Sequence, residues 1–368
     1  MKRVFGIICT LACIAWATSC CAQPGERWSE EKANAWYESM EWPVGCDYVP
    51  AYAGNQIQMW QSSTWDPEVI DRELGWAEQL GFNSLRIFLH DKVWKAEREA
   101  FFSHVDKFLE IADSHGMTCL VTLFTNGGSE QRYVGEEISP VPGIHNSIWA
   151  QTPGESVVNN PEKWNQVKEY EQDVLRRYKD DKRIIAWCLY NEPENVPSCK
   201  TLPLLKKVFE WAREINPSQP LTAPIYTRPF SQDNYRIDRF PVVTYVCENS
   251  DIISLHCYKE AEEMDKFIKV MKTLGRPVFC TEYLARTFGS TFEDIMPILK
   301  ANKVAAYNFG LVKGAIQCHY PWNDKDADGV KIPFAEEPEL WFHDILNPDG
   351  TPYRQSEVDF IKSMTSKK

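Results

Sequence analysis

Ile184-Ile185-Ala186-Trp187-Cys188-Leu189-Tyr190-Asn191-Glu192-Pro193 runs seven apolar residues into two polar ones and a proline. Seven residues is the length of a strand. The run has no apolar/polar alternation, as expected of a parallel strand covered by helices on both faces. Working outward, similar runs recur at Asn83 to Leu89, Thr118 to Phe124, Leu221 to Ile225, Asp251 to Cys257, Pro277 to Cys280 and Val304 to Val312. Between them lie helical patterns: Pro67 to Leu80, Phe101 to His115, Trp164 to Tyr178, Leu202 to Ile215, Ala261 to Leu274 and Phe292 to Asn302, each ending at Gly, Pro or a polar turn. With Val44 to Pro50 as first strand the count reaches eight, and Ser356 to Met364 is the last helix. Strand and helix alternating at this spacing predict an α/β fold, a single (β/α)8 barrel with elaborated loops on one face. The 368 residues suit one such domain.

In a barrel the carboxyl ends of all strands open onto one face, so polar residues there converge however far apart they lie in sequence. Glu192 stands at such an exit. A second carboxylate, Glu282, ends the run Arg276-Pro277-Val278-Phe279-Cys280-Thr281-Glu282. By strand count these are the fourth and seventh exits, and there the sequence resembles the large barrel clan of retaining glycoside hydrolases that includes family 5 cellulases and mannanases. The resemblance spans most of the chain beyond residue 22. It implies that Asn191 is a sugar 2-hydroxyl ligand, Glu192 the general acid/base and Glu282 the nucleophile. It extends to Arg86 in Leu85-Arg86-Ile87-Phe88 and to His256-Cys257-Tyr258, which matches the clan's His-x-Tyr. Where the clan places a Trp at the eighth exit, this chain has Phe309, with Trp322 downstream.

Acetal cleavage explains these residue types. A poor leaving group must be protonated while an oxocarbenium-like centre is stabilised, so one carboxyl must be neutral and its partner ionised. A retaining mechanism sets the two about 5–5.5 Å apart. Arg86 and Tyr258 are expected to hold Glu282 ionised, Glu192 is expected to carry the raised pKa, and His256 is expected to bind sugar hydroxyls or tune the acid/base.

The irregular stretch Thr125 to Asn160 follows the third strand, and long rim loops usually shape a cleft. Trp149 and His145 are therefore candidate sugar contacts, as are Trp60 and Trp65 after the first strand and His90-Asp91 after the second. Loop packing is the competing reading for each. Whether attack is internal or terminal depends on whether Thr125 to Asn160 and Gly314 to Pro338 close one end of the cleft. Asp324-Lys325-Asp326-Ala327-Asp328-Gly329 has the opening spacing of a calcium loop, but its twelfth position is Ala335, which favours a solvated acidic turn. No zinc spacing or phosphate-binding Gly loop occurs, so cofactor-free chemistry is expected.

Composition bounds the partners. A formal charge of −12 without a basic stripe argues against nucleic acid. Fourteen Trp residues suit sugar stacking or a large core. Residues 1–22 read as a signal peptide: Lys2-Arg3 precede an apolar Val4 to Trp16, and Ala17-Thr18-Ser19-Cys20 resembles a lipobox, leaving residues 23–368 as the catalytic domain. Export is expected, as a secreted protein or an outer-membrane or periplasmic lipoprotein of a bacterium, any membrane contact being through the lipid. Of twelve Cys, eight lie beyond the leader: buried thiols, or a disulfide involving Cys199, are the two readings. A silent surface glycan-binding lipoprotein and a transglycosylase using the same site are the alternatives to a hydrolase.

Overall fold

The computed structural model describes residues 25–226 and 235–366; the leader and the Cys20 lipobox lie outside the described residues. Nine parallel segments close into one ring. They form eight staves. The first is Val44–Asp47, the second Ser84–Phe88, the third Thr118–Thr125 and the fourth Ile184–Asn191. The fifth is split into Leu221–Thr222 and Pro224–Tyr226; the sixth is Ile253–His256, the seventh Val278–Tyr283 and the eighth Ala305–Phe309. The first strand pairs with both the second and the eighth, which closes the barrel.

The fifth strand departs from the expected single run. Leu221 and Thr222 pair with the fourth strand, while Pro224 to Tyr226 pair with the sixth. Pro224 has no N–H to give a ladder, so the stave changes partner at Ala223. The seventh strand runs three residues past its expected end, so Glu282 is held by the sheet itself.

Gly45 explains how the first two strands approach: a Cβ there would stand 1.6 Å from the Ser84 carbonyl oxygen. Inside the barrel, Ser84 Oγ and Tyr307 Oη hydrogen-bond at 2.8 Å, which satisfies two buried hydroxyls. A cluster of Leu120, Ala186, Cys188, Ile252, Phe279, Ala305 and Tyr307 fills the interior, and Trp36 and Tyr37 of the helix Glu30–Glu38 pack against it. Trp36 stacks on Phe279 at 6.2 Å between ring centres.

The helices obey local rules. Asp66 caps Pro67–Gln79 by accepting from the Glu68 and Val69 amides, with Pro67 in the first turn where no donor is needed. The helices Trp164–Tyr178 and Thr201–Ile215 also fall where the periodicity places them. Pro241–Asn249, between the fifth and sixth strands, is one the sequence reading passed over. No described helix is long and apolar enough to cross a membrane.

All eight described cysteines are free and buried, Cys199 included. The expected alternative of a disulfide at Cys199 does not hold; its sulfur instead lies 3.1 Å from the Gln151 amide nitrogen.

Candidate active site

A cavity of about 1180 Å3 opens over the carboxyl ends of the strands, bordered by Asn191, Glu192, His256, Tyr258 and Glu282. Each of these stands at or just past a strand end, which is why residues so distant in sequence meet. The sheet bulges where they gather. A register shift between Leu255 and His256 sets His256 directly opposite Glu282 on the neighbouring strand. Glu192 leaves the fourth strand with φ 44°, a left-handed conformation that L-residues rarely adopt and that turns the chain into the next loop.

Arg86 organises the floor. It is wholly buried, and Nη1 donates to Glu282 Oε1 at 2.8 Å and to Asp47 Oδ1 at 3.3 Å. Its Nη2 donates to Asn191 Oδ1. Arginine can only donate, so the Asn191 oxygen must face it and the amide NH2 is left to donate elsewhere. The guanidinium also lies over the Phe88 ring at 4.7 Å.

Glu282 has three further neighbours. Tyr258 Oη donates to its Oε2 at 2.6 Å, His256 Nδ1 lies 3.3 Å from the same oxygen, and the Glu282 backbone carbonyl accepts from Cys257. Burial, the Glu282 charge and this hydrogen bond together hold the Tyr258 phenol well above its usual range, so it stays a donor. Glu192 accepts from His256 Nδ1 at 2.8 Å and from Asn195 Nδ2 at 2.7 Å. Burial pushes His256 down to about 3, so the ring is neutral at ordinary pH; with Nδ1 facing two carboxylates, that nitrogen carries the proton.

Asp47, which the sequence reading passed over, ends the first strand beside Arg86. Burial raises its pKa well above the carboxylate range against the pull of Arg86, and the charges of Glu282 and Glu192 add to the rise. The carboxyl-terminal Asp of Val44-Gly45-Cys46-Asp47 is the same signal that pointed to Glu282. Asn195 had no such signal.

The other candidates divide. Trp149, His145, Phe309 and Trp322 all border the cavity. Trp322 is the exposed one, at 48%, and its ring meets Tyr258 edge-on at 5.3 Å. His145 is mostly buried, with Nδ1 against the Tyr320 carbonyl oxygen at 2.8 Å, and burial lowers it to about 4. His343, unforeseen, also reaches the cavity and packs on Phe309 and Tyr258.

Trp60, Trp65, His90 and Asp91 do not border it, contrary to expectation. Trp60 is fully buried, donating to the Phe88 carbonyl and stacking on Trp65. His90 caps the helix Asp91–Ala96, and Asp91 accepts from Thr152 Oγ1. These side chains are packed into the loops rather than presented to the cleft.

Among the described residues, the group of carboxylate and imidazole atoms close enough to hold a metal is Glu192, His256 and Glu282, within 4.8 Å of one another. The Arg86 guanidinium already occupies one Glu282 oxygen, which disfavours a second cation there. Asp324 to Gly329 is a tight turn in which Asp326 Oδ1 accepts from the Asp328 and Val330 amides.

A closed parallel barrel with two facing carboxylates at the fourth and seventh exits defines a barrel glycoside hydrolase. The chain belongs to the cellulase family, glycosyl hydrolase family 5, whose model matches residues 51–315. No curated protein matches it. Solved structures share the fold at low identity. A GH5_18 variant from Streptomyces cattleya, in complex with Manb1-4GlcNAc, is 14% identical at TM-score 0.57, over 88% of this chain and 79% of that one. The exo-beta-1,4-mannosidase Op5Man5 from Opitutaceae bacterium strain TAV5 is 16% identical at TM-score 0.59, over 88% and 60%. The endo-beta-1,4-mannanase from Thermotoga petrophila is 16% identical at TM-score 0.54, over 89% and 77%.

Proposed function

We propose that the chain is a retaining β-glycosidase that cleaves a β-linked oligo- or polysaccharide by double displacement, with Glu282 as nucleophile and Glu192 as acid and then base. One observation supports this reading: His256 Nδ1 lies 2.8 Å from a Glu192 oxygen and 3.3 Å from a Glu282 oxygen, and oxygens of the two carboxylates are within 4.8 Å of each other, so the two carboxyl groups share one small site. Retaining sites hold the pair about 5–5.5 Å apart, whereas inverting sites need about 6.5–9.5 Å to admit a water between them.

In the first step Glu282 attacks the anomeric carbon while Glu192 gives its proton to the departing oxygen, breaking the glycosidic bond. Arg86 and Tyr258 fix the Glu282 oxygens at 2.8 and 2.6 Å, so one carboxylate rotamer is presented. In the second step Glu192 takes a proton from water, the water attacks the same carbon, and the bond to Glu282 breaks. Two inversions give retention. Neutral His256 donates to Glu192 at 2.8 Å and so holds the carboxylate in place when the second step uses it as base. The Asn191 amide, turned by Arg86, is placed to donate to a sugar hydroxyl.

Mannose is the sugar to try first, because the solved neighbours are described as a mannosidase, a mannanase and a complex with Manb1-4GlcNAc. Proton NMR of a β-mannoside or β-glucoside digest tests the mechanism. A first-formed β-anomer supports it; a first-formed α-anomer, or turnover surviving in Glu282→Ala, sinks it. Export as a lipoprotein is a separate proposal resting on Lys2 to Cys20; palmitate labelling lost in Cys20→Ala is the expected result.

A further inference from the structure

We propose that the enzyme works from the non-reducing end of its substrate, taking a single terminal sugar into a blind pocket. The inference rests on the assignment of Glu192 as acid/base. The proton donor marks the leaving-group side, and Glu192 turns there toward Asn195. The sugar transferred to Glu282 must then lie over Glu282, Arg86 and Asn191. Because Glu192 follows the fourth strand, a chain continuing from that sugar toward the non-reducing end runs to the opposite side of the eight-stave ring, over the eighth and first strands.

Three loops bar that route. The connection after the third strand is sewn to the one after the eighth. Asn146 N donates to the Ile316 carbonyl at 3.0 Å, His145 N to Asn323 Oδ1 at 2.9 Å, and Asn323 Nδ2 to the Gly143 carbonyl at 2.8 Å. Gln317 works both ways, accepting from Gly143 N at 3.1 Å and donating to the Val141 carbonyl at 2.8 Å. Lys331 Nζ donates to the His145 carbonyl at 2.9 Å.

The connection after the first strand locks into both. Asn55 Nδ2 donates to the Ile148 carbonyl, Gln58 Nε2 to the Ile138 carbonyl, and Ala315 N to the Ala51 carbonyl. The joints are close: a Cβ on Gly143, at φ 74°, would lie 2.2 Å from the Phe334 oxygen, and one on Gly314 would lie 2.5 Å from Ala51. Such a seam, hydrogen-bonded at every joint, acts as a wall rather than a lid. Val141, Ile144, Asn323 and Val330 face the cavity from it. The cavity, about 1180 Å3, has room for the terminal sugar and for the leaving chain on the open side.

The test uses β-1,4-mannotetraose and cellotetraose, each carrying 2-aminobenzamide at the reducing end, with products sampled below a tenth of full conversion. The expected first products are a free monosaccharide and a labelled trisaccharide, followed by the labelled disaccharide. A labelled mono- or disaccharide among the first products overturns the proposal, and does so without touching the double displacement, which the anomer assay reads independently. Methylating the terminal 4-hydroxyl is expected to slow cleavage roughly tenfold or more. Gln317→Asn, a residue outside the cavity whose left-handed conformation Asn tolerates, shortens the side chain that joins the loops and is expected to recover part of that loss. Equal rates on free and methylated ends in the wild type overturn the wall as the cause.

Discussion

Replacing Glu73 by Gln is expected to remove one proton's worth of pH dependence from the stability of the fold. Glu73 lies on the helix Pro67–Gln79 and is 1% exposed. It accepts from Tyr48 Oη at 2.8 Å and from the Ala51 amide at 3.2 and 3.3 Å, tethering the loop after the first strand. Burial outweighs these hydrogen bonds and raises the carboxyl from 4.5 to about 7. Below about pH 4.5 the group is protonated in both folded and unfolded chains, and its full contribution is present. Between 4.5 and 7 the unfolded chain has lost the proton while the folded chain keeps it, so stability falls as pH rises and levels off above 7. The gap between those values, at about 1.4 kcal/mol for each pH unit, amounts to roughly 3 kcal/mol. Gln keeps a carbonyl acceptor without the charge. Urea unfolding of wild type and Glu73→Gln at pH 4.5, 6 and 8 measures the difference: near zero at pH 4.5, and in favour of the variant by as much as about 3 kcal/mol at pH 8. A difference that stays constant across the three pH values, or a variant less stable at pH 8, refutes the reasoning.

Glu192→Ala is expected to lower kcat/KM roughly 10²–10⁴-fold for an alkyl β-glycoside and far less for a dinitrophenyl one, whose leaving group needs no proton; equal losses on both count against the acid role. Tyr258→Phe deletes a 2.6 Å hydrogen bond to a carboxylate, about 1.5–3 kcal/mol, so steady-state kinetics are expected to lose roughly 10–150-fold in kcat/KM. Arg86→Lys keeps the charge but cannot span Glu282, Asp47 and Asn191 at once; a loss of at least roughly tenfold is expected, and unchanged kinetics refute the bridging role. The His256 imidazole is expected to remain neutral from pH 5 to 8, because burial holds it near about 3; a ring resonance that titrates near pH 6.5 in nitrogen-15 NMR and vanishes in His256→Gln contradicts this.

The barrel was legible because parallel strands buried on both faces leave apolar runs, and the main residues of the site were legible because those runs stop at polar ends. Asn191, Glu192, His256, Tyr258 and Glu282 follow that rule, Arg86 lies inside its run and was reached through the resemblance alone, and the structure brings all six together. Asp47 follows it too and was missed for want of applying the rule to the first strand. Trp60 was misread because the loop after that strand folds into the short helix Gln56–Trp60, which turns the indole inward. The loop seam was beyond reading: the Gln317 side-chain amide meets Gly143 across 174 residues of chain, and its partners are a backbone N–H and carbonyl that every sequence has. Periodicity reports which face is buried, not which loop touches which.

The eight buried thiols have a consequence for oxidation. Burial raises Cys46, Cys280 and Cys318 well above the ordinary thiol range and lifts Cys247 and Cys257 to about 12. Only thiolate reacts with oxidants and disulfides, so the native chain is chemically quiet. Once opened, the described residues present eight sulfurs of ordinary reactivity, none of them paired in the native fold. Heating in air is therefore expected to leave scrambled cross-links, and a reductant in the buffer is expected to raise the fraction that refolds on cooling.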